Sequence, residues 1–281
     1  MALTAYALRF LNDTREFVAV DEDVVRNAER FLVRQQNADG SWIKKYSWGA
    51  TEEASRAPLT TAYIARTMAM RKSNAKAVGM PESSAAIQKS LAYLQSKTAV
   101  IDEPYALALY GLALIDAGDR TLAAAVGERL EKMAIAEGNT GYWKLETNTP
   151  FYGWGTPGRI ETTALVVQLL IRLRGEQLAI ANDLVSKGTL FLLKNKDRYG
   201  VWYSTQTTVN VLDAFLASLA SNGAGDDQTF EVLVNGVSLP TIAAATDQIV
   251  PITVEFKGNL RAADNVVEIK NAGNYPLMAQ I

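Results

Sequence analysis

The 281-residue sequence contains no cysteine and no histidine. The missing cysteine rules out a disulfide framework, a thiol nucleophile and any thiolate metal site. The missing histidine removes the Ser-His-Asp and Cys-His arrangements. It also removes the two-His-one-carboxylate iron site. Chemistry within this chain would have to come from carboxylates, Lys, Tyr, Ser or Thr. Charge of one sign is also lacking: 28 Lys+Arg stand against 30 Asp+Glu, a net charge of -2. A nucleic-acid partner usually demands a basic face, so none is expected. Long apolar runs are lacking too. Tyr105–Ile115 is among the longest and is too short to span a bilayer, so this segment is not expected to insert into a membrane. What remains is 48% hydrophobic and 21% charged, enough to build a packed core.

The first 222 residues read as helices of two alternating kinds. Leu3–Leu11, Leu59–Met70, Pro104–Ala117, Ile160–Leu173 and Thr205–Leu219 are apolar on nearly every side. Asp21–Gln36, Ser83–Lys97, Asp119–Ala136 and Ala179–Asn195 carry charges on one face. A helix apolar all round belongs inside, and one with a polar face belongs outside. The inner helices begin near positions 3, 60, 104, 161 and 205, so steps of 57 and 44 alternate. A period of about 50 residues signals stacked or ring-closed hairpins. The predicted fold is mainly α: an α/α toroid of about nine helices, incomplete, followed by a small β-sandwich portion.

Thr-rich segments mark the inner-helix starts: Leu3-Thr4-Ala5-Tyr6, Leu59-Thr60-Thr61-Ala62-Tyr63, Glu161-Thr162-Thr163-Ala164 and Ser204-Thr205-Gln206-Thr207-Thr208. Their hydroxyls read as N-caps. All five tryptophans fall in the loops that lead to such starts, at positions 42, 48, 143, 154 and 202. After Gly225 the pattern changes. Thr229–Val234, Ile249–Phe256 and Asn265–Ile269 alternate like strands, and Asn235-Gly236 is a hairpin signal. Residues 1–222 and 228–281 are therefore expected to be separate domains, joined through Asn222-Gly223-Ala224-Gly225-Asp226.

Paired carboxylates could serve a glycosidase or lyase on such a toroid. The candidates are Glu52, Glu53, Glu146 and Glu161, with Trp48, Tyr152 and Trp154 placed to stack sugars. The plainer reading makes Glu52 and Glu53 solvated loop charges and Glu161 an N-terminal helix acid favoured by the dipole. A third reading is a protein-interaction module. Residues 36–42 also fit the Gln-x-x-x-Gly-x-Trp box of terpene cyclases, in which the Gln and Trp tie hairpins together. The acidic motif those enzymes need is absent.

Several segments taken in order resemble the thioester domain of the alpha-2-macroglobulin and complement family. They are Leu3-Thr4-Ala5-Tyr6, Asp21-Glu22, Gln35-Gln36-Asn37-Ala38-Asp39-Gly40-Ser41-Trp42, Glu161-Thr162-Thr163-Ala164, and Tyr199-Gly200 through Thr208. Phe230–Gly236 and Asn265–Lys270 resemble the β module of the CUB type that follows it. The variant Tyr203-Ser204-Thr205-Gln206-Thr207-Thr208 is closer to the bacterial branch.

The resemblance implies a non-enzymatic protease trap, which captures its attacker through a Cys–Gln thioester and needs no cofactor or metal. It implies proteases as partners of the full-length protein and other macroglobulin domains of the same chain as neighbours. It implies an extracellular or bacterial periplasmic, cell-envelope setting. The thioester motif and the first helices of the toroid are expected upstream of Leu3, so this piece would supply no catalytic residue. The residues implied to shield the thioester are Tyr46, Trp48, Tyr152, Trp154, Trp202, Tyr203 and Gln206. For Trp202, as for Trp42 and Trp143, plugging the toroid is the competing reading. The histidine that some complement relatives use aligns near Tyr46–Ala50, where this chain has none.

Overall fold

A computed structural model describes residues 1–43, 56–73, 80–145, 147–151, 153–173, 182–221, 228–244, 252–256, 258 and 260–271. The chain divides into two compact units, Met1–Ser218 and Leu219–Ile281.

Nine α-helices occur among the described residues. The inner set is α1 (Ala2–Asp13), α3 (Ala57–Ser73), α5 (Pro104–Ala117), α7 (Gly155–Leu173) and α9 (Thr205–Ser221). The outer set is α2 (Glu22–Gln35), α4 (Pro81–Lys97), α6 (Arg120–Lys132) and α8 (Asn182–Lys194). Every residue of α5 from Pro104 to Ile115 is buried, as is every residue of α7 from Ile160 to Ile171. The outer helices bury one stripe each, such as Val25, Glu29 and Leu32 in α2. Local signals set the helix ends. Asp21 and Asp119 cap α2 and α6 by accepting backbone N–H bonds from Asp23 and Leu122. Pro opens α4 and α5 at a position where no N–H is needed. Gly118 closes α5 at φ 93°.

The terminal inner helices differ from the expectation of burial on all sides. In α1, Leu3 and Phe10 are 71% and 59% exposed, and in α9, Leu212 and Leu216 are 47% and 62% exposed. Each is covered along one side only by the described residues.

One fastening recurs three times. The indole N–H groups of Trp42, Trp143 and Trp202 donate to the carbonyls of Leu32, Leu130 and Leu192, in the last turns of α2, α6 and α8. The bonds are 2.8, 2.6 and 2.7 Å long. The backbone N–H of the same three tryptophans donates to the hydroxyls of Thr61, Thr163 and Thr208, inside the next inner helices. The threonines at α3 and α7 are therefore not N-caps. Those helices begin at Ala57 and Gly155, and Thr61 and Thr163 lie a turn or more inside them. The cap reading holds at α9, where the Ser204 hydroxyl accepts from Thr207 N–H at 3.1 Å. Gln36 adds a sideways tie. Its amide donates to Gly40 O and to Ala86 O of α4, at 3.0 and 2.8 Å. Gly40 itself is required: φ is +92°, and a Cβ there would come within 2.3 Å of Lys89 O.

The expected helix Asp119–Ala136 stops at Lys132 because the chain turns into a hairpin. Its strands β1 (Ile135–Glu137) and β2 (Thr140–Tyr142) pair antiparallel across Gly138. The second unit is a sheet built on β3 (Gln228–Val234). One edge of β3 pairs with β4 (Val237–Ser238) and β5 (Ile242–Ala244), and β6 (Val267–Asn271) also pairs antiparallel with β3. Asn235 and Gly236, at φ 53° and 84°, form the two-residue turn into β4. Phe230, Val232 and Val234 alternate and are buried. The strand expected at Ile249–Phe256 is not found in its described part, 252–256, which joins no ladder.

Replacing Trp143 by Phe keeps an aromatic ring but removes the buried indole bond and leaves the Leu130 carbonyl with the Met133 N–H alone. The W143F variant should lose about 2–4 kcal/mol of stability, read as a lower urea midpoint. An unchanged midpoint would show that the indole bond is not a fastening.

Candidate functional site

Equivalent levels of the inner helices meet, which sets these helices parallel. Glu161, in the second turn of α7, accepts from Tyr105 OH at 2.9 Å in the first turn of α5, and from Asn210 Nδ2 in the second turn of α9 at 3.3 Å. Arg66 of α3 and Arg172 of α7 both bind Asp116 near the end of α5. The loops that lead to α7 and α9 therefore lie at one end of the first unit.

The expected site residues at that end divide in two. Trp154 and Tyr203 are 72% and 67% exposed, and Tyr203 has φ 39°. Trp202 is buried, with its ring edge-on to Phe215 at 5.9 Å. Gln206 sits in the first turn of α9. Its amide oxygen and nitrogen are both buried, and neither has a hydrogen-bond partner among the described residues. Tyr46, Trp48 and Tyr152 lie outside the described residues, as do Glu52, Glu53 and Glu146. Arg56 donates to Asn148 O at 2.9 Å, and Arg159 lies over the Tyr142 ring at 5.8 Å.

Glu161 is not a helix-terminal acid. Helix α7 begins six residues earlier, and Glu161 is 2% exposed on the axis of the inner helices. Burial pushes its carboxyl up to about 7, while the Tyr105 hydrogen bond and the Arg9 charge pull it down. Gly153 passes so close that a Cβ there would lie 3.4 Å from Glu161 Oε2 and 2.9 Å from Thr149 Oγ1. Tyr105 is itself held well above the usual phenol range, first by burial and then by the Glu161 charge.

A polar column runs on from Glu161. Arg9 of α1 binds Asp213 and, at 3.2 Å, Asn210 Oδ1, both on α9. Gln168 of α7 donates to Asn210 O at 2.9 Å. Burial opposes the Arg9 charge, but Asp213 and Asp13 outweigh it and raise its pKa. Burial lowers Arg66 to about 10 against the pull of Asp116. The sequence reading missed this column. Its signal was available: charged residues such as Arg9, Arg66 and Asp116 stand within otherwise apolar helices, where a charge needs a partner.

The column does not resemble a glycosidase centre. Glu161 is closed off from solvent, and its hydrogen-bond partners are a phenol and an amide rather than a second carboxylate. Among the described residues no group of three or more Asp or Glu side chains could hold a metal ion. No described helix is long and apolar enough to cross a membrane.

The architecture defines the class first: a mainly helical protein of alternating inner and outer helices, followed by a small sheet. Residues 1–218 match the A-macroglobulin TED domain, and the chain belongs to that family. Three solved structures can be set beside it. Trypsin-activated alpha-2-macroglobulin from Escherichia coli has 17% identity and a TM-score of 0.49, over 98% of this chain and 16% of that one. Salmonella alpha-2-macroglobulin reacted with methylamine has 18% identity and a TM-score of 0.49, over 98% and 15%. Native alpha-2-macroglobulin from E. coli, from domain MG7 to the C-terminus, has 18% identity and a TM-score of 0.48, over 100% and 39%. The chain thus spans well under half the length of each.

The raised Glu161 carboxyl predicts a pH dependence. The folded value is about 7 against 4.5 for an unperturbed carboxyl, so the folded state holds this proton more tightly. Its contribution is fully present below pH 4.5 and is lost as pH rises through 7, a fall of about 3 kcal/mol. Urea midpoints at pH 5 and pH 8 should differ less in E161Q than in the parent. An equal difference in both proteins would remove Glu161 as the cause.

Proposed function

We propose that this chain is part of a bacterial-type alpha-2-macroglobulin-like protease trap, and that it shields a thioester rather than performing catalysis. Family membership over residues 1–218 supports the setting. The observation that carries the shielding role is the Gln206 amide, buried with both ends unmatched in the first turn of α9. An unpaired buried amide costs free energy, so the position calls for a mating group. The segment that bears the Cys–Gln bond in the parent protein fits that need. Trp154 and Tyr203, exposed at the same end, are the wall that would keep water from the bond. Tyr46, Trp48 and Tyr152 would belong to the same wall, and Trp202 would hold it from below.

In this reading the partners are proteases and the remaining macroglobulin domains of the parent. The β unit belongs to a CUB-like module, and the protein works outside the cytoplasm in the cell envelope. Capture is stoichiometric: a nucleophile of the protease attacks the thioester carbonyl, an acyl bond forms and the cysteine thiolate leaves. The segment Tyr46–Ala50, where some complement relatives carry their activating histidine, has none here, so no imidazole from that position would activate hydroxyl groups. Amines, nucleophilic without help, should therefore be preferred.

Two measurements on the full-length parent test this. The double variant W154A/Y203A should release its thiol to methylamine about tenfold faster than the parent, and an unchanged rate would overturn the shielding role. After activation, methylamine adducts should exceed glycerol adducts. Glycerol transfer equal to or above methylamine transfer would overturn the amine preference.

A further inference from the structure

At the far end of the inner helices lies a half-open cavity of about 200 Å³. Four inner helices line it, and its charges are laid out in two halves. On one side Arg66 and Arg172 share the single carboxylate of Asp116, which binds one through each oxygen. Two cations therefore divide one anion. On the other side Arg9 is divided between two anions, Asp13 at 3.5 Å and Asp213. Among the described residues the first group thus carries one net positive charge and the second one net negative charge.

The titration behaviour agrees with the geometry. Arg66 is depressed by burial and by the nearby Arg172 and Arg9 charges, although Asp116 opposes them. Asp13 is raised by burial, with Arg9 opposing the effect, Asp213 adding to it and Arg66 opposing it from across the cavity.

A second, independent observation lies in the same wall. Asn12 is 7% exposed, and its Oδ1 is buried without a hydrogen-bond partner among the described residues. A buried acceptor left open calls for a donor. It lies next in sequence to Asp13, on the half that lacks positive charge. Met70 supplies an apolar stretch of the lining. A cavity of about 150 Å³ admits benzene, so this one has room for a small aliphatic molecule with polar ends.

We infer that this cavity is a binding site for a small zwitterion of the amino-acid class. Its carboxylate is taken by Arg66 and Arg172, and its ammonium group by Asp13 and Asn12 Oδ1. The site lies at the opposite end of the helices from the proposed thioester wall, and it stands or falls independently of the trap function. Guanidinium pairs suit a carboxylate because the bonds are charge-assisted and planar. The ammonium group supplies the donor that Asn12 lacks and the charge that the Arg9 half needs. A simple anion would satisfy one half only.

Calorimetric titration of the chain with free L-leucine tests this against two matched analogues. One is 4-methylpentanoate, which lacks the amine, and the other is 3-methylbutylamine, which lacks the carboxylate. Leucine should bind saturably near about 1 mM, with each analogue at least about tenfold weaker. R172Q and D13N should each weaken leucine binding by at least about tenfold. Both side chains are partly exposed, at 32% and 55%, so the variants should keep the parent's circular dichroism. No saturable heat with leucine at about 10 mM would overturn the proposal. So would 4-methylpentanoate binding as tightly as leucine, or two folded variants that bind leucine like the parent.

Discussion

One guanidinium ties the first described inner helix to the last. Arg9 reaches across about two hundred residues of sequence to Asn210 and Asp213, joining the first inner helix to the last. Burying a cation is costly unless its partners replace the lost water, and a buried ion pair seldom adds much net stability. What it adds is discrimination. A helix seated one turn out of place would leave Arg9 facing a hydrocarbon neighbour. The rest of the column hangs from this seam. Asn210 passes the contact on to Glu161 and Gln168, Glu161 to Tyr105, and Asp116 joins Arg66 to Arg172. All five inner helices thus contribute to one polar line inside an apolar shell.

The aromatic residues of the inter-helix loops have separated into two trades. Trp42, Trp143 and Trp202 are fully engaged with their own chain, through both indole and backbone N–H. Trp154 and Tyr203 share the same kind of loop but face outward. In the family to which the chain belongs, a reactive bond has to be hidden until it is needed. Fastened tryptophans beside exposed aromatics are what the proposed shielding role would use.

Helix type and order were legible because burial imposes its own alphabet. Pro104–Ala117 is apolar in every turn and matches α5 from end to end. The outer helices were legible from their charged faces and Asp caps. Three features escaped. The threonines of α3 and α7 look like caps in sequence, yet they bond tryptophans 19 and 20 residues upstream, a contact that local pattern cannot express. Glu161 was placed at a helix terminus because its preceding residues, Gly155 to Gly158, include two glycines and a proline. In the structure these residues already form the first turns of α7. The exposed Leu212 and Leu216 were read as interior, since composition records that a side chain is apolar and not whether anything covers it. At the candidate site, Trp154, Tyr203 and Gln206 were named through family resemblance. The axial column was not, because its members come from five separated helices.

The tryptophan fastenings also bear on how the fold is reached. Trp42 bonds residues 32 and 61, Trp143 bonds 130 and 163, and Trp202 bonds 192 and 208. None spans more than one hairpin and its connecting loop. Such contacts form early because little chain entropy is lost in closing short loops. Each hairpin can therefore be stapled as it leaves the ribosome, before the next has been made. The Arg9 seam must wait until residue 213 has been made. Among the contacts of the described residues the Arg9 seam is therefore a late one, made after the three fastened hairpins are already in place.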